Sequence, residues 1–195
     1  MYLLALFISL SNLSNGQTNF KNSVKLSPIT FTKGQIAVIH YERSIYKNFT
    51  IGMGVSNISF KPILGSFLYP IDKFNMGLAI DPEIRWYAKS DKIMDGFFFG
   101  FYNSTRFSSW ESSTTGASLF TDNVLLDVSV RKSIYGLQLG AQKLMGKHIA
   151  IDVYGGAGLS GTKYKAYNRG TKDLYETQNS GGINLRLNLS IGYQF

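Results

Sequence analysis

The chain has 195 residues, no cysteine, and 20 lysine and arginine residues against 12 aspartate and glutamate residues, which gives a formal net charge of +8. The missing cysteines exclude disulfides, thiolate metal sites and a cysteine nucleophile. The two histidines argue against a histidine-rich metal site. The basic residues are scattered and accompany no nucleic-acid-binding motif, so we predict no nucleic-acid partner. The 20 glycines, 14 phenylalanines and 12 tyrosines favour a β protein.

The N-terminus predicts a signal peptide. An apolar run from Tyr2 to Leu10 has the length of a signal-peptide core and is shorter than the ~20 residues of a spanning helix. We predict a signal peptide at 1–16 and a barrel domain at 17–195. The basic residues that usually precede such a run are missing, which suggests a truncated start. A buried N-terminal segment is the alternative. No cysteine follows the run, so a lipoprotein anchor is excluded.

Beyond residue 22 the apolar residues alternate with a period of two, which indicates β-strands. In the clearest strand the apolar side chains lie at even positions from Met76 to Trp86. The first strand is the weakest, because Pro28 suits only an edge or a strand start. We predict eight strands, at residues 23–32, 34–45, 48–60, 75–88, 96–110, 123–145, 147–165 and 182–195.

The sixth predicted strand contains a change of phase. Its apolar residues lie at even positions from Val124 to Val130 and at odd positions from Tyr135 to Ala141. One extra residue near 132–134 would explain the change as a β-bulge. Two strands with a turn at that point are the alternative.

The predicted connections alternate between tight and long. Tight turns fall near 46–48, 89–95 and 146–147, and long loops fall at 61–75, 111–122 and 166–181, where any external contacts would lie. The first hairpin, at 32–34, is short where a long loop would fit better. The pattern predicts an all-β, eight-stranded, antiparallel, up-and-down transmembrane β-barrel, in the outer membrane of a Gram-negative bacterium with both termini in the periplasm.

The polar face of each strand separates a membrane barrel from a water-soluble one. Strand faces in water favour Thr, Lys and Glu, whereas here glycines such as Gly52, Gly100 and Gly140 crowd the polar face. Glycine is useful where space is short, as inside a narrow eight-stranded barrel. The apolar face then contacts lipid. A soluble periplasmic barrel that binds an apolar ligand is the alternative, and it would have an apolar interior.

The last strand carries a predicted membrane-insertion signal. Its apolar residues recur at every second position and end on a phenylalanine, as in the targeting signal that the barrel-assembly machinery recognises; they are Leu187, Leu189, Ile191, Tyr193 and Phe195. We therefore predict that this machinery is a partner during biogenesis.

Three short motifs carry a family resemblance. They are Tyr41-Glu42-Arg43, the run from Pro82 to Tyr87, and the final Gly-Tyr-Gln-Phe. Over about residues 23–195 the chain resembles small outer-membrane β-barrel proteins of the OmpA/OmpX-like type, and more closely a branch known only as an outer-membrane β-barrel domain of unknown function. The resemblance implies fold and location, and it brings no catalytic residues.

The polar face also carries charges, which we predict to form a network that plugs the lumen; they are Glu42, Asp81, Glu83, Arg85, Arg106, Asp152 and Arg186. A narrow polar path, a small-ligand site and an acid/base pair are the alternatives. The glycine-rich segment at 156–161 matches a dinucleotide motif but lacks the following helix. We predict no cofactor, metal site or catalytic residue.

The function predicted from the sequence is a structural or surface-interaction role for a monomeric barrel in outer-membrane lipid. The basic segment from Lys163 to Lys172 predicts contact with lipopolysaccharide phosphates. A lipid-modifying enzyme that uses His40 or His148 is a further alternative, and we favour the interpretation without catalysis.

Overall fold

The computed structural model describes residues 21–30, 35–58, 73–88, 93–114 and 124–195. These residues form eight strands: β1 Asn22–Thr30, β2 Gln35–Tyr46, β3 Phe49–Ile58, β4 Lys73–Tyr87, β5 Gly96–Thr114, β6 Val124–Met145, β7 Ile149–Asn168 and β8 Leu174–Gln194. Each strand pairs antiparallel with the next, and β1 pairs with β8 to close the ring. The predicted eight-stranded up-and-down barrel is confirmed. Within the described part of the chain, no helix has the length and hydrophobicity to span a membrane.

The barrel has one tall side. Strands β5 to β8 contain 19, 22, 20 and 21 residues, whereas β1, β2 and β3 contain 9, 12 and 10. Pairing between β1 and β8 runs from Ser23 opposite Gln194 to Thr30 opposite Asn188, with a shift between Leu26 and Ile29 around Pro28. Within the described residues, the rest of β8 therefore pairs with β7 alone.

The predicted long loop at 166–181 is wrong. β7 continues to Asn168 and β8 begins at Leu174, so a turn of only five residues connects them. The hairpin is polar and glycine-rich, and most of β8 between Leu174 and Gly182 is exposed. Because both faces of β8 are exposed there, this segment has no alternation of apolar residues to reveal it. The tight turns at Lys47-Asn48 and Gly146-Lys147 are confirmed.

The predicted bulge or turn near 132–134 is also wrong. β6 pairs without a register shift along its whole length, with β5 on one side and β7 on the other. Its even-numbered residues face the interior throughout, and the character of that interior changes. In the tall part the interior side chains form an apolar cluster: Trp110, Leu126, Val128, Val130, Tyr164 and Ala166. We call this group the upper cluster.

Below the upper cluster the faces are reversed, with apolar side chains outside and polar side chains inside. The outward-facing side chains of this zone, which we call the belt, are exposed and large; they include Ile39, Ile51, Met53, Ile84, Phe99, Leu137, Leu139, Leu185 and Ile191. Small residues make room inside, as predicted. A Cβ on Gly136 would lie 2.6 Å from the Tyr102 ring, and one on Gly140 would lie 2.6 Å from the Phe98 ring.

Several predicted segments lie outside the described residues. They are the signal peptide at 1–16, the hairpin at 32–34, the turn residues 89–92, and most of the loops predicted at 61–75 and 111–122. The described ends of those two loops belong to strands, since β4 begins at Lys73 and β5 ends at Thr114.

We expect Gly136→Ala to lower the free energy of unfolding by about 1–3 kcal/mol, because the new methyl group would collide with the Tyr102 ring. Gly161→Ala is the matched control, since a Cβ there meets no atom within 4 Å. Urea unfolding of the refolded protein measures both. Equal effects of the two substitutions would contradict the tight packing of the interior.

Candidate functional site: the polar interior

The lower interior is organised around the carboxylate of Glu42 on β2. Lys25 Nζ of β1 lies 2.5 Å from one of its oxygens, and Arg85 Nη1 of β4 lies 3.4 Å from the same oxygen. The other oxygen accepts hydrogen bonds from Thr50 Oγ1 at 2.5 Å and from the Tyr87 hydroxyl at 2.9 Å. All five residues are at most 1% exposed. The carboxylate is thus compensated by two cations and two hydroxyl groups.

A second carboxylate shares the same two cations from the opposite wall. Asp152 of β7 lies 2.9 Å from Lys25 Nζ and 2.7 Å from Arg85 Nη1. The Gln142 side-chain oxygen accepts from Lys25 Nζ and from the Tyr87 hydroxyl, and its amide nitrogen donates to the Met94 carbonyl at 2.8 Å. These contacts join β1, β2, β4, β6 and β7 across the lumen.

The next level up is organised around Glu83. Its carboxylate pairs with Arg85 Nε, lies 3.0 Å from His40 Nε2, and accepts from Gln138 Nε2 at 2.9 Å. Arg186 of β8 is 3.8 Å from it and donates to the Tyr154 hydroxyl at 2.5 Å. Because a buried carboxylate is costly unless paired, these partners allow Glu83 to remain ionised inside the barrel.

Aromatic rings fill the space beside the two inner arginines. The Arg85 guanidinium lies 4.2 Å from the Phe98 ring centre and 5.0 Å from that of Tyr154. The Arg186 guanidinium lies 4.7 Å from the ring centres of both Tyr102 and Tyr154. Such contacts add a cation–π attraction to the ion pairs.

All seven residues predicted for the lumen network face the interior. Five of them are at most 4% exposed, while Arg106 and Arg186 are half-buried. The structure joins Glu42, Glu83, Arg85, Asp152 and Arg186 by direct contacts. Asp81 and Arg106 lie above them, lining one small cavity together with Arg186.

Other members of the network were not predicted: Lys25, His40, Thr50, Tyr87, Gln138, Gln142 and Tyr154. Alternation could have identified several of them, because Lys25 lies between Val24 and Leu26 in phase with two serines, and the glutamines share the glycine face of β6. Which of these side chains meet across the lumen depends on how the barrel closes and on the register offset between its strands.

The two histidines occupy different surroundings. His40 is 4% exposed and pairs with Glu83. His148 lies in the turn before β7, where its ring stacks on outward-facing Tyr193 at 4.9 Å and its Nδ1 lies 2.9 Å from the Gln194 carbonyl oxygen. The two histidines therefore contact different residues.

The predicted insertion-signal residues all lie on the outer face of β8. Their side chains are between 40% and 55% exposed; they are Leu187, Leu189, Ile191, Tyr193 and Phe195. The backbone of Phe195 exchanges two hydrogen bonds with Asn22 of β1, at 3.1 and 3.0 Å. The last residue therefore closes the ring at this rim.

The predicted basic segment forms an ion cluster on the outside of the tall wall. Arg169 lies 3.0 Å from Asp127 and 3.2 Å from Glu111, and Lys172 lies 3.3 Å from Asp127. Burial alone would raise the pKa of Asp127, but hydrogen bonds from Arg169 and Lys172 hold that pKa below its ordinary value. Two of the predicted lipid-binding cations are therefore already paired with acids.

Comparisons with known proteins add little. No protein-family model matches the chain, and no match is found among curated proteins. Among solved structures, the chain is similar to a major outer membrane protein from Thermus thermophilus, at 11% sequence identity and a TM-score of 0.48, covering 90% of this chain and 98% of that chain. The likeness is too distant to support a shared function, and the OmpA/OmpX-like resemblance stays a prediction.

The ion pairs and hydrogen bonds of the interior connect opposite walls of the barrel. Its charged groups reach across the lumen from β1, β2, β4, β7 and β8, and each lower carboxylate contacts cations from two strands. No group of three or more potential metal ligands is found in the described ranges.

Lys25→Met should lower the free energy of unfolding by about 3–5 kcal/mol, because it leaves two buried carboxylates undercompensated. Lys73→Met is the control, since Lys73 is 71% exposed and its pair with Glu111 spans 3.7 Å. That change should cost no more than about 1 kcal/mol. Urea denaturation gives both values, and a cost for Lys25→Met as small as that of the control would refute the network.

Proposed function

We propose that the chain is an integral outer-membrane β-barrel protein with a structural or surface-interaction role, its lumen plugged by its own side chains. One observation carries the proposal, namely that the belt is apolar on the outside while the interior it encloses is charged. Water-soluble barrels have the opposite arrangement, because they bury apolar side chains and hydrate polar ones. An apolar exterior around a charged interior is the arrangement that a lipid surrounding favours.

The dimensions of the belt support a membrane-spanning zone. On β6 the outward apolar residues run from Tyr135 to Ala141, before Lys143, and on β8 they run from Ile183 to Phe195. A tilted strand needs about 9–11 residues to cross the hydrocarbon core. Aromatic side chains lie at the turn end of the belt, with Trp86, Tyr193 and Phe195 all exposed. Aromatic girdles of this kind are typical of membrane interfaces.

A closed ring of strands is also the form of β-sheet that can lie in lipid. The seam between β1 and β8 is paired from Gln194 to Asn188, which closes the ring over the lower part of the belt. An open sheet edge would leave backbone N–H and C=O groups unsatisfied where water is absent. The hydrogen bonds between neighbouring strands therefore satisfy backbone N–H and C=O groups that lipid could not satisfy.

The two alternative functions find less support. A soluble barrel for an apolar ligand requires an apolar lumen, but the described interior within the belt contains Glu42, Glu83, Arg85 and Asp152. Apolar side chains of the described interior form two internally packed groups, the upper cluster and a smaller one of Tyr87, Met94, Phe98 and Tyr154. A lipid-modifying enzyme would need His40 or His148 beside a nucleophile, whereas His40 pairs with the Glu83 carboxylate and His148 contacts the Tyr193 ring and the Gln194 carbonyl oxygen.

The location and partners follow from the membrane proposal. The turns at Lys47-Asn48 and Gly146-Lys147 lie at the same rim as the pairing of Asn22 with Phe195, and we assign this rim to the periplasm of a Gram-negative bacterium. A monomer surrounded by outer-membrane lipid accounts for the exposed belt. Contact with lipopolysaccharide stays a prediction, and Lys163 and Lys165 on the outer face of β7 are the residues suited to it.

A matched pair on β6 tests the membrane assignment. Leu139 is 65% exposed in the belt and Leu125 is 50% exposed on the tall wall above it. Leu139→Arg should lower the free energy of unfolding in lipid vesicles by about 2–4 kcal/mol, because it places a charge in the hydrocarbon. Leu125→Arg, in water, should change it by less than about 0.5 kcal/mol. Two equally small effects would count against a lipid-facing belt.

Phe195→Ala tests the predicted signal for the barrel-assembly machinery. The substitution keeps the backbone bonds to Asn22, so refolding of the purified chain into vesicles should remain as in the wild type. In cells the yield of folded barrel in the outer membrane should fall severalfold. Phe97→Ala, which removes a 75% exposed ring outside the signal, is the control. The same loss in both variants would remove any special role for the last residue.

A further inference from the structure

We propose that three cations on the outer face of the tall wall form a binding site for the phosphate groups of a lipid of the outer leaflet. They are Arg131 of β6 and Lys163 and Lys165 of β7. The inference rests on the proposed membrane orientation, in which the tall wall lies outside the cell. It adds Arg131 to the basic segment that the sequence predicted, and it leaves Arg169 and Lys172 out.

The strand register brings the three cations together on one face. Arg131 lies directly opposite Lys163 in the pairing of β6 with β7, and Lys165 lies two residues further along the same face of β7. Directly opposite side chains have Cβ atoms about 5 Å apart, and diagonal neighbours lie about 7–8 Å apart. Arg131 and Lys163 are exposed, and Lys165 is half-buried. Because like charges in this arrangement repel one another, a negatively charged partner would stabilise this face.

The acids on the outer face of the tall wall are already paired with other cations. Glu111 lies opposite Asp127 in the β5–β6 register, and their partners are Lys73, Arg169 and Lys172. Within the described ranges, the three cations of the proposed site form no ion pair. Their direct neighbours on β5 and β8 are uncharged; they are Phe107, Asn179 and Thr177. An anion from outside the chain would therefore supply the charge that this face lacks.

The donor groups suit a phosphate. The Arg131 guanidinium lies 5.6 Å from the ring centre of Phe107, whose strand β5 is on the opposite side of β6 from Lys163. This cation–π contact holds the guanidinium at the outer surface. An arginine fork offers several N–H donors to phosphate oxygens, and lysine adds a compact positive charge. Together they provide both hydrogen bonds and charge for a phosphate group.

The height of the site above the belt identifies the phosphate as that of a lipid. Arg131 is four residues above Tyr135 on β6, and Lys163 is four residues above Leu159 on β7, where Tyr135 and Leu159 are exposed and directly opposite each other at the top of the belt. Four residues of a tilted strand correspond to a height of about 10 Å. Long cationic side chains cover part of that distance. In the membrane orientation this level is the headgroup layer, which is about 5–7 Å thick.

A row of small residues separates the cations from the belt. Ser133 lies opposite Gly161, and Gly161 lies opposite Gly181. A Cβ on Gly161 would meet no atom within 4 Å. The outer surface therefore has room at this row for the uncharged part of a headgroup, with its phosphate above and its acyl chains below. A free phosphate ion would make no use of this room, so we assign the site to a lipid.

The test measures binding of diphosphoryl lipid A to the full chain refolded in detergent, as the fraction of barrels that carry one lipid in native mass spectrometry. We expect saturable binding that a large excess of inorganic phosphate does not displace. Lipid A without its phosphates should bind much more weakly. The double substitution Arg131→Gln and Lys163→Gln should weaken binding of diphosphoryl lipid A by about tenfold. Both side chains are exposed, so the variant should fold as the wild type does.

The matched control is the double substitution Lys147→Gln and Lys172→Gln, which removes two exposed cations outside the site. Its affinity for lipid A should equal that of the wild type. Equal weakening in the two double variants would show attraction to general positive charge and would overturn the site. Displacement by inorganic phosphate, or equal binding of the lipid without phosphates, would overturn it as well. These measurements do not depend on the lipid-facing belt, which the Leu139→Arg and Leu125→Arg pair tests separately.

Discussion

The ion pairs of Arg85 are the contacts on which the rest of the structure depends. This side chain, 1% exposed, reaches Glu42 on β2, Glu83 on its own strand and Asp152 on β7, and its guanidinium stacks on Phe98 of β5. A barrel that turns its apolar side chains outward has little hydrophobic core within the belt, where the described interior holds one small cluster of Tyr87, Met94, Phe98 and Tyr154. Charge compensation and hydrogen bonding across the lumen take that role, and the glycines on the facing strands make the space for it.

The second constraint is the reversal of faces along the long strands. In the belt, β6 shows leucines to the outside and glutamines to the lumen. Nearer its start, before residue 133, the same strand shows Ser129 and Arg131 to the outside and buries Val128 and Val130. The backbone register is unchanged across the reversal. The change lies in which face carries the apolar side chains, and under the membrane proposal the reversal marks the outer boundary of the belt.

The sequence predicted the strands correctly where the two faces of a strand lie in different surroundings. Alternation in β2, β4, β5, β7 and the end of β8 predicted both the strands and the inward direction of the seven charged residues. It failed at the start of β8, where both faces are exposed and most residues are polar. On β6 it suggested a bulge, because a change of surroundings and a change of register leave the same pattern. The contacts of Lys25 with Gln142 and Asp152 were beyond reach, since they join residues 117 and 127 positions apart.

The chain contains two tryptophans, and the structure places them in opposite environments. Trp86 is 44% exposed on the belt, whereas Trp110 is 0% exposed inside the upper cluster. Fluorescence quenching by lipids with brominated chains, measured on the Trp110→Phe and Trp86→Phe variants refolded in vesicles, compares them directly. We predict strong quenching of Trp86 and little quenching of Trp110. A Trp86 that is no better quenched than Trp110 would contradict the lipid-facing belt on which this account rests.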